Sequence, residues 1–129
     1  MIESLDHLVL TVADIEAAAA FYCGVLGMER VGFAGGRTAL AFGRQKINLH
    51  QRGREFEPKA QAPTPGSADL CFVAAVPLAE VRARLDAAAV VIEAGPVART
   101  GAVGPITSLY VRDPDGNLVE ICRYDVESD

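Results

Sequence analysis

The chain has 129 residues, half of them hydrophobic and 22% charged, with a formal net charge of −5. That length buries a working core without metal or disulfide staples, and the acidic balance excludes non-specific nucleic-acid or anionic-membrane binding, which needs a basic surface. No apolar run approaches the roughly 18 residues of a transmembrane helix, and Met1-Ile2-Glu3-Ser4 lacks the basic-then-apolar layout of a signal peptide, so a cytoplasmic protein is expected.

Leu5–Val12 alternates as a strand, with Leu8, Leu10 and Val12 on one face and His7, Val9 and Thr11 on the other. Asp14 is a natural N-cap for a helix whose apolar positions Ile15, Ala18, Ala19, Tyr22, Val25 and Leu26 follow a 3.6-residue period, and Gly27 is a natural stop. Three short strands follow, Glu29–Phe33, Thr38–Phe42 and Lys46–Gln51, separated by glycine turns. Residues 52–67 hold three prolines and two glycines and no periodicity, so they form a connector, long enough to cover a site.

Beyond the connector, Ala68–Ala74 reads as a strand and Pro77 opens a helix with Leu78, Val81, Leu85, Ala88 and Ala89 at helical spacing. Val90–Glu93 resumes β structure, Gly95–Pro105 is a Gly/Pro-rich loop, and the strands Ile106–Arg112 and Asn117–Arg123 flank an Asp113-Pro114-Asp115-Gly116 turn. Cys23, Cys71 and Cys122 are widely spaced and form no Cys-x-x-Cys pair, so neither a disulfide framework nor a zinc ribbon is expected; all three are expected to be small buried hydrophobes.

The order β, α, β, β, β thus occurs twice, in residues 5–51 and 68–124 on either side of connector 52–67, within one α+β domain spanning residues 1–129. Aligning the first strands sets His7 over Asp69, and aligning the ends of the last strands sets His50 over Glu120. If the halves pack with approximate two-fold symmetry into one curved sheet, these four residues converge on a concave face. Two carboxylates repel and each imidazole needs partners, and a divalent cation answers both needs. An N,O donor set suits Zn, Mn, Fe or Ni. Each residue also has a plainer reading: His7 as a hydrogen-bonded strand edge, His50 as part of a solvated face with Lys46 and Asn48, Asp69 as a turn cap, and Glu120 as the partner of an arginine.

The Asp6-His7 strand, the helix with Phe21-Tyr22 ending in Leu26-Gly27-Met28, and the terminal Asp113-Pro114-Asp115-Gly116-Asn117-Leu118-Val119-Glu120 together resemble the vicinal oxygen chelate superfamily, which includes glyoxalase I, bleomycin-resistance proteins and extradiol dioxygenases. The resemblance covers nearly the whole chain. Ile47-Asn48-Leu49-His50, Glu55-Phe56-Glu57-Pro58-Lys59 and Gly95-Pro96-Val97-Ala98-Arg99-Thr100-Gly101 are similar to the subgroup called glyoxalase domain-containing protein 5.

The resemblance implies tandem βαβββ modules forming a cup, a helix outside each module, a divalent metal and a homodimer. It implies metal ligands at His7 and Glu120, with His50 where glyoxalase I has a glutamate and Asp69 where many members have a histidine. Loss of that histidine weakens a dioxygenase reading. The expectation is therefore a metal-dependent lyase or isomerase acting on a small carbonyl substrate through a chelated enediolate, with Glu120 as the base, Asp69 as the second candidate, and Arg99 near an anionic substrate. The alternatives are a metal-free small-molecule binder of bleomycin-resistance type and an extradiol-type dioxygenase.

Overall fold

The structure is a computed structural model that describes residues 1–125. The chain divides into two compact units, one made of Met1–Ala68 with Pro114–Gly116, the other of Asp69–Asp113 with the segment from Asn117 onward. Each unit carries one βαβββ module, so the α+β repeat expected from the sequence is present as two four-stranded mixed sheets. Among the described residues no helix is long and apolar enough to cross a membrane.

The first unit contains β1 (His7–Val12), α1 (Ile15–Ala19), β2 (Glu29–Phe33), β3 (Arg37–Phe42) and β4 (Gln45–Gln51). Its strand order is β1-β4-β3-β2, with β1 parallel to β4 and the remaining pairs antiparallel. Alternation of side chains across a strand sends Leu10, Val12, Leu40, Ile47 and Leu49 to one face, where all are buried. Ala18, Ala19, Phe21 and Tyr22 of the helical segment are buried with them in the core, and Phe21 meets Tyr22 edge to face at 5.1 Å.

Asp14 caps α1 by accepting the Glu16 N–H, and the Gln51 side chain accepts the Ile15 N–H, so two of the free amides at the helix start are satisfied. The helix expected up to Gly27 is regular α only through Ala19. Ala20–Val25 continues it in the wider π form, with the Leu26 N–H bonded to the Phe21 carbonyl. Gly27 then takes the left-handed conformation at φ 78° that ends the segment.

The second unit contains β5 (Asp69–Val73), α2 (Leu78–Ala87), β6 (Ala94–Thr100), β7 (Pro105–Arg112) and β8 (Leu118–Tyr124), in strand order β5-β8-β7-β6. Its core is Leu109, Val111, Val119 and Ile121 with Val81 and Leu85 of α2. The sequence reading was wrong about β6: residues 90–93 are not a strand, and most of the expected Gly95–Pro105 loop is one. Pro96 is tolerated because β6 is an edge strand whose register against β7 shifts between Ala94 and Val97. Gly95 is required there, since a Cβ would collide with the Ser108 carbonyl oxygen.

The Asp-Pro-Asp-Gly turn is divided between the units. Asp113, 5% exposed, accepts the Asn117 N–H at 2.9 Å and the Asn117 side-chain amide at 2.7 Å within the second unit. In the first unit Asp115 accepts the Ala13 N–H through both carboxylate oxygens, at 3.2 and 3.4 Å.

Candidate functional site

The face of the second sheet opposite its core carries the polar residues. Register places Glu120 of β8 between Cys71 of β5 and Tyr110 of β7, all on that face. Glu120 is half-buried, and its partner is the fully buried Ser108, whose hydroxyl donates to Oε2 at 2.6 Å. A short O–H···O⁻ bond of this kind fixes the carboxylate. The arginine that the sequence allowed as a partner is not used among the described ion pairs. Asp69 lies on the same face, in register with Leu118 and therefore one pair along the ladder from Glu120, and it is exposed.

The expectation that all three cysteines are buried fails for two of them. Cys122 is buried, but Cys23 is half-buried and Cys71 is exposed. Cys71 Sγ lies 3.7 Å from Cys122 Sγ on this same face. Its thiol is pushed up to about 12 by burial of the sulfur, by Cys122 and by the charge of Glu120, although one flank of the residue stays open to solvent.

On the corresponding face of the first sheet, His7 Nδ1 bonds the Asp6 carboxylate at 2.7 Å, so Nε2 is the ring nitrogen not used in that bond. A carboxylate behind one ring nitrogen is the arrangement that orients a metal-binding imidazole. His50 is buried at 7% exposure and meets Phe56 edge to face at 5.8 Å, while the Arg37 guanidinium lies 4.4 Å over the same Phe56 ring. Phe56 comes from connector 52–67, so one residue of that segment packs on His50. Beside it Glu55 is half-buried, its carboxyl held below the ordinary range mainly by the backbone N–H groups of Glu55 and Gly53.

The structure does not bring His7 and His50 together. Register pairs His7 with Lys46 and Thr11 with His50, four residues further along. At strand spacing the two backbone positions are offset by about 13 Å along the strand direction. The equivalence drawn from the sequence also changes. His7 pairs with Lys46 as Asp69 pairs with Leu118, so Glu120 corresponds to Asn48, and His50 corresponds to Cys122.

Sequence reasoning missed Asn48, although the signal was present: Ile47-Asn48-Leu49 sets one polar residue between two buried apolar ones, as Val119-Glu120-Ile121 does. Among the described residues Asn48 Oδ1 is a buried side-chain oxygen with no hydrogen-bond partner. Such an atom costs about 1–3 kcal/mol unless a hydrogen-bond donor or a cation meets it.

That orphaned oxygen is what tests the fit of a metal. Within the first unit Asn48 Oδ1 and His7 Nε2, and within the second the carboxylates of Asp69 and Glu120, are hard or borderline donors of the kind a divalent cation accepts. Among the described residues no group of three or more His, Cys, Asp or Glu side chains is arranged to hold a metal ion.

A family model described as Glyoxalase/Bleomycin resistance protein/Dioxygenase superfamily matches residues 4–121. The chain belongs to this superfamily. It is 56% identical over 124 residues to virulence protein STM3117 of Salmonella typhimurium, covering 96% of this chain and 86% of that protein. The crystal structure of that protein matches with a TM-score of 0.94 over 96% of this chain and 98% of that chain.

The superfamily chain is also 55% identical to glyoxalase domain-containing protein RDO1 of Mycosarcoma maydis, covering 95% of this chain and 69% of RDO1. The crystal structure of lactoylglutathione lyase from Agrobacterium tumefaciens matches at 27% identity and a TM-score of 0.72, over 95% of each chain. Members of the superfamily often use divalent metals.

Proposed function

We propose that this chain is a divalent-metal-dependent enzyme of glyoxalase type, a lyase or isomerase that removes a proton from carbon next to the carbonyl of a small substrate. The observation that carries the reading is the orphaned Oδ1 of Asn48 at the position Glu120 fills in the other unit. A buried unpaired oxygen costs about 1–3 kcal/mol, and a bound cation would remove that cost.

Each unit offers candidate donors of its own: His7 Nε2 and Asn48 Oδ1 in the first, and the carboxylates of Asp69 and Glu120 in the second. The mixed nitrogen and oxygen set admits Zn, Ni, Mn or Fe. When bound, such a cation polarises the carbonyl and stabilises charge on its oxygen. Asp6 holds His7 Nδ1 and so presents Nε2. Ser108 holds Glu120 Oε2, and Oε1 takes the proton from the substrate carbon and returns it to the product. Asp69 is the second acid on the same face.

The test is metal analysis of protein purified without chelators. Stoichiometric divalent metal is expected in the wild type, with loss in His7→Ala and Glu120→Gln and retention in His50→Ala. Folded wild-type protein that carries no metal, and whose melting temperature does not rise with Zn, Ni, Mn or Fe(II), overturns the reading in favour of a metal-free binder.

A further inference from the structure

The second unit holds a guanidinium in place with no ion-pair partner among the described residues. Arg99, on edge strand β6, donates Nε–H to the Tyr110 hydroxyl at 3.0 Å and Nη1–H to the Ala98 carbonyl at 3.0 Å, with Cζ 5.5 Å from the Tyr110 ring centroid. No ion pair among the described residues includes Arg99, whereas Arg112 of the same sheet is paired with Glu93. An arginine side chain is rich in rotamers, so fixing it on neutral acceptors leaves a preorganised positive fork whose Nη2 edge has no partner among the described residues.

Tyr110 ties this fork to Glu120. Its hydroxyl accepts from Arg99, and a hydroxyl that accepts keeps its own proton to donate. Tyr110 and Glu120 are register partners on one face of the sheet, and Ser108, the next residue of β7 on that face, donates to Glu120. A row on one face therefore holds a cation, a free hydroxyl donor and an oriented carboxylate.

We propose that Arg99 and Tyr110 form the subsite for the carboxylate of a small 2-oxo or 2-hydroxy acid whose reacting carbon faces Glu120. A planar guanidinium matches a carboxylate oxygen for oxygen, and Tyr110 supplies a further donor. A single cation on a chain of net charge −5 suits a monoanion better than a phosphate dianion. The proposal rests on the reading of Glu120 as the base under Proposed function, but not on the metal.

The experiment is calorimetric titration of the full chain with pyruvate and with its neutral methyl ester, on protein as purified and again after chelation. Pyruvate is expected to bind about tenfold or more tightly than the ester, a preference retained after chelation, because a charge-assisted hydrogen bond carries that much. Arg99→Gln weakens pyruvate by about tenfold and leaves the ester unchanged, Arg99→Lys restores part of the loss, and Tyr110→Phe weakens pyruvate less than Arg99→Gln does. Equal binding of acid and ester, unchanged pyruvate binding in Arg99→Gln, or no saturable pyruvate binding overturns the proposal. Because the preference is read after chelation, failure of the metal reading leaves this result standing, and the reverse also holds.

Discussion

Ser108 donates its hydroxyl to Glu120 Oε2 at 2.6 Å, across a diagonal of neighbouring strands in the second sheet. Ser108 is fully buried, so the bond is formed away from competing water. Ser108→Ala removes the donor and leaves a half-buried carboxylate oxygen without its partner. A loss of about 1–3 kcal/mol in urea unfolding is expected, with the larger value if the carboxylate does not reach solvent by rotating.

Asn48→Ala is expected to act in the opposite sense on stability. Its Oδ1 is buried and unpaired, so deleting the amide removes a cost. Metal-free Asn48→Ala protein should unfold at the same urea concentration as wild type or higher, within about 1 kcal/mol, while losing affinity for added divalent metal. A large loss of stability in the metal-free protein would show that the amide has a structural partner.

Cys71 gives the pH prediction. Its thiol moves from the ordinary 9.0 up to about 12, chiefly through burial and then through Cys122 and the charge of Glu120. A raised value means that the thiolate is scarce, so at pH 8 alkylation by iodoacetamide should be much slower than for an ordinary thiol, and its rate should go on rising with pH beyond pH 9, where an ordinary thiol levels off. The stability contribution has the matching sign: it is complete below pH 9, where the thiol is neutral in both states, and is lost between pH 9 and about 12 as the unfolded chain ionises first. Mass spectrometry of alkylated peptides across that range measures the first effect.

Asp113→Ala should be among the more damaging substitutions outside the core. Asp113 is buried and accepts both the backbone and the side-chain N–H of Asn117, itself 1% exposed. Without it two buried donors lose their acceptor at the turn that leads into β8. A loss of about 2–4 kcal/mol is expected in urea unfolding. Asp113→Asn, which keeps one acceptor oxygen, should lose less.

The sequence by itself determined the two βαβββ modules, because side-chain period distinguishes strand from helix and turn residues mark the ends. It also marked His7 and Glu120 as polar residues at unusual places, and it read the connector as long enough to cover a site. It failed at β6, where Gly95 and Pro96 look like loop and only the pairing with β7 shows that an edge strand accepts them at a bulge.

It failed too at the equivalence of His50 and Glu120. Aligning strands from their ends assumes equal spacing in both modules, whereas hydrogen-bond register is set by pairing and differs from that alignment by two residues. Only the tertiary structure therefore put Asn48 in place of His50, exposed Cys71 and gave Glu120 a serine for a partner. Each of these depends on which strand lies beside which, and side-chain periodicity along one strand carries no record of its neighbour.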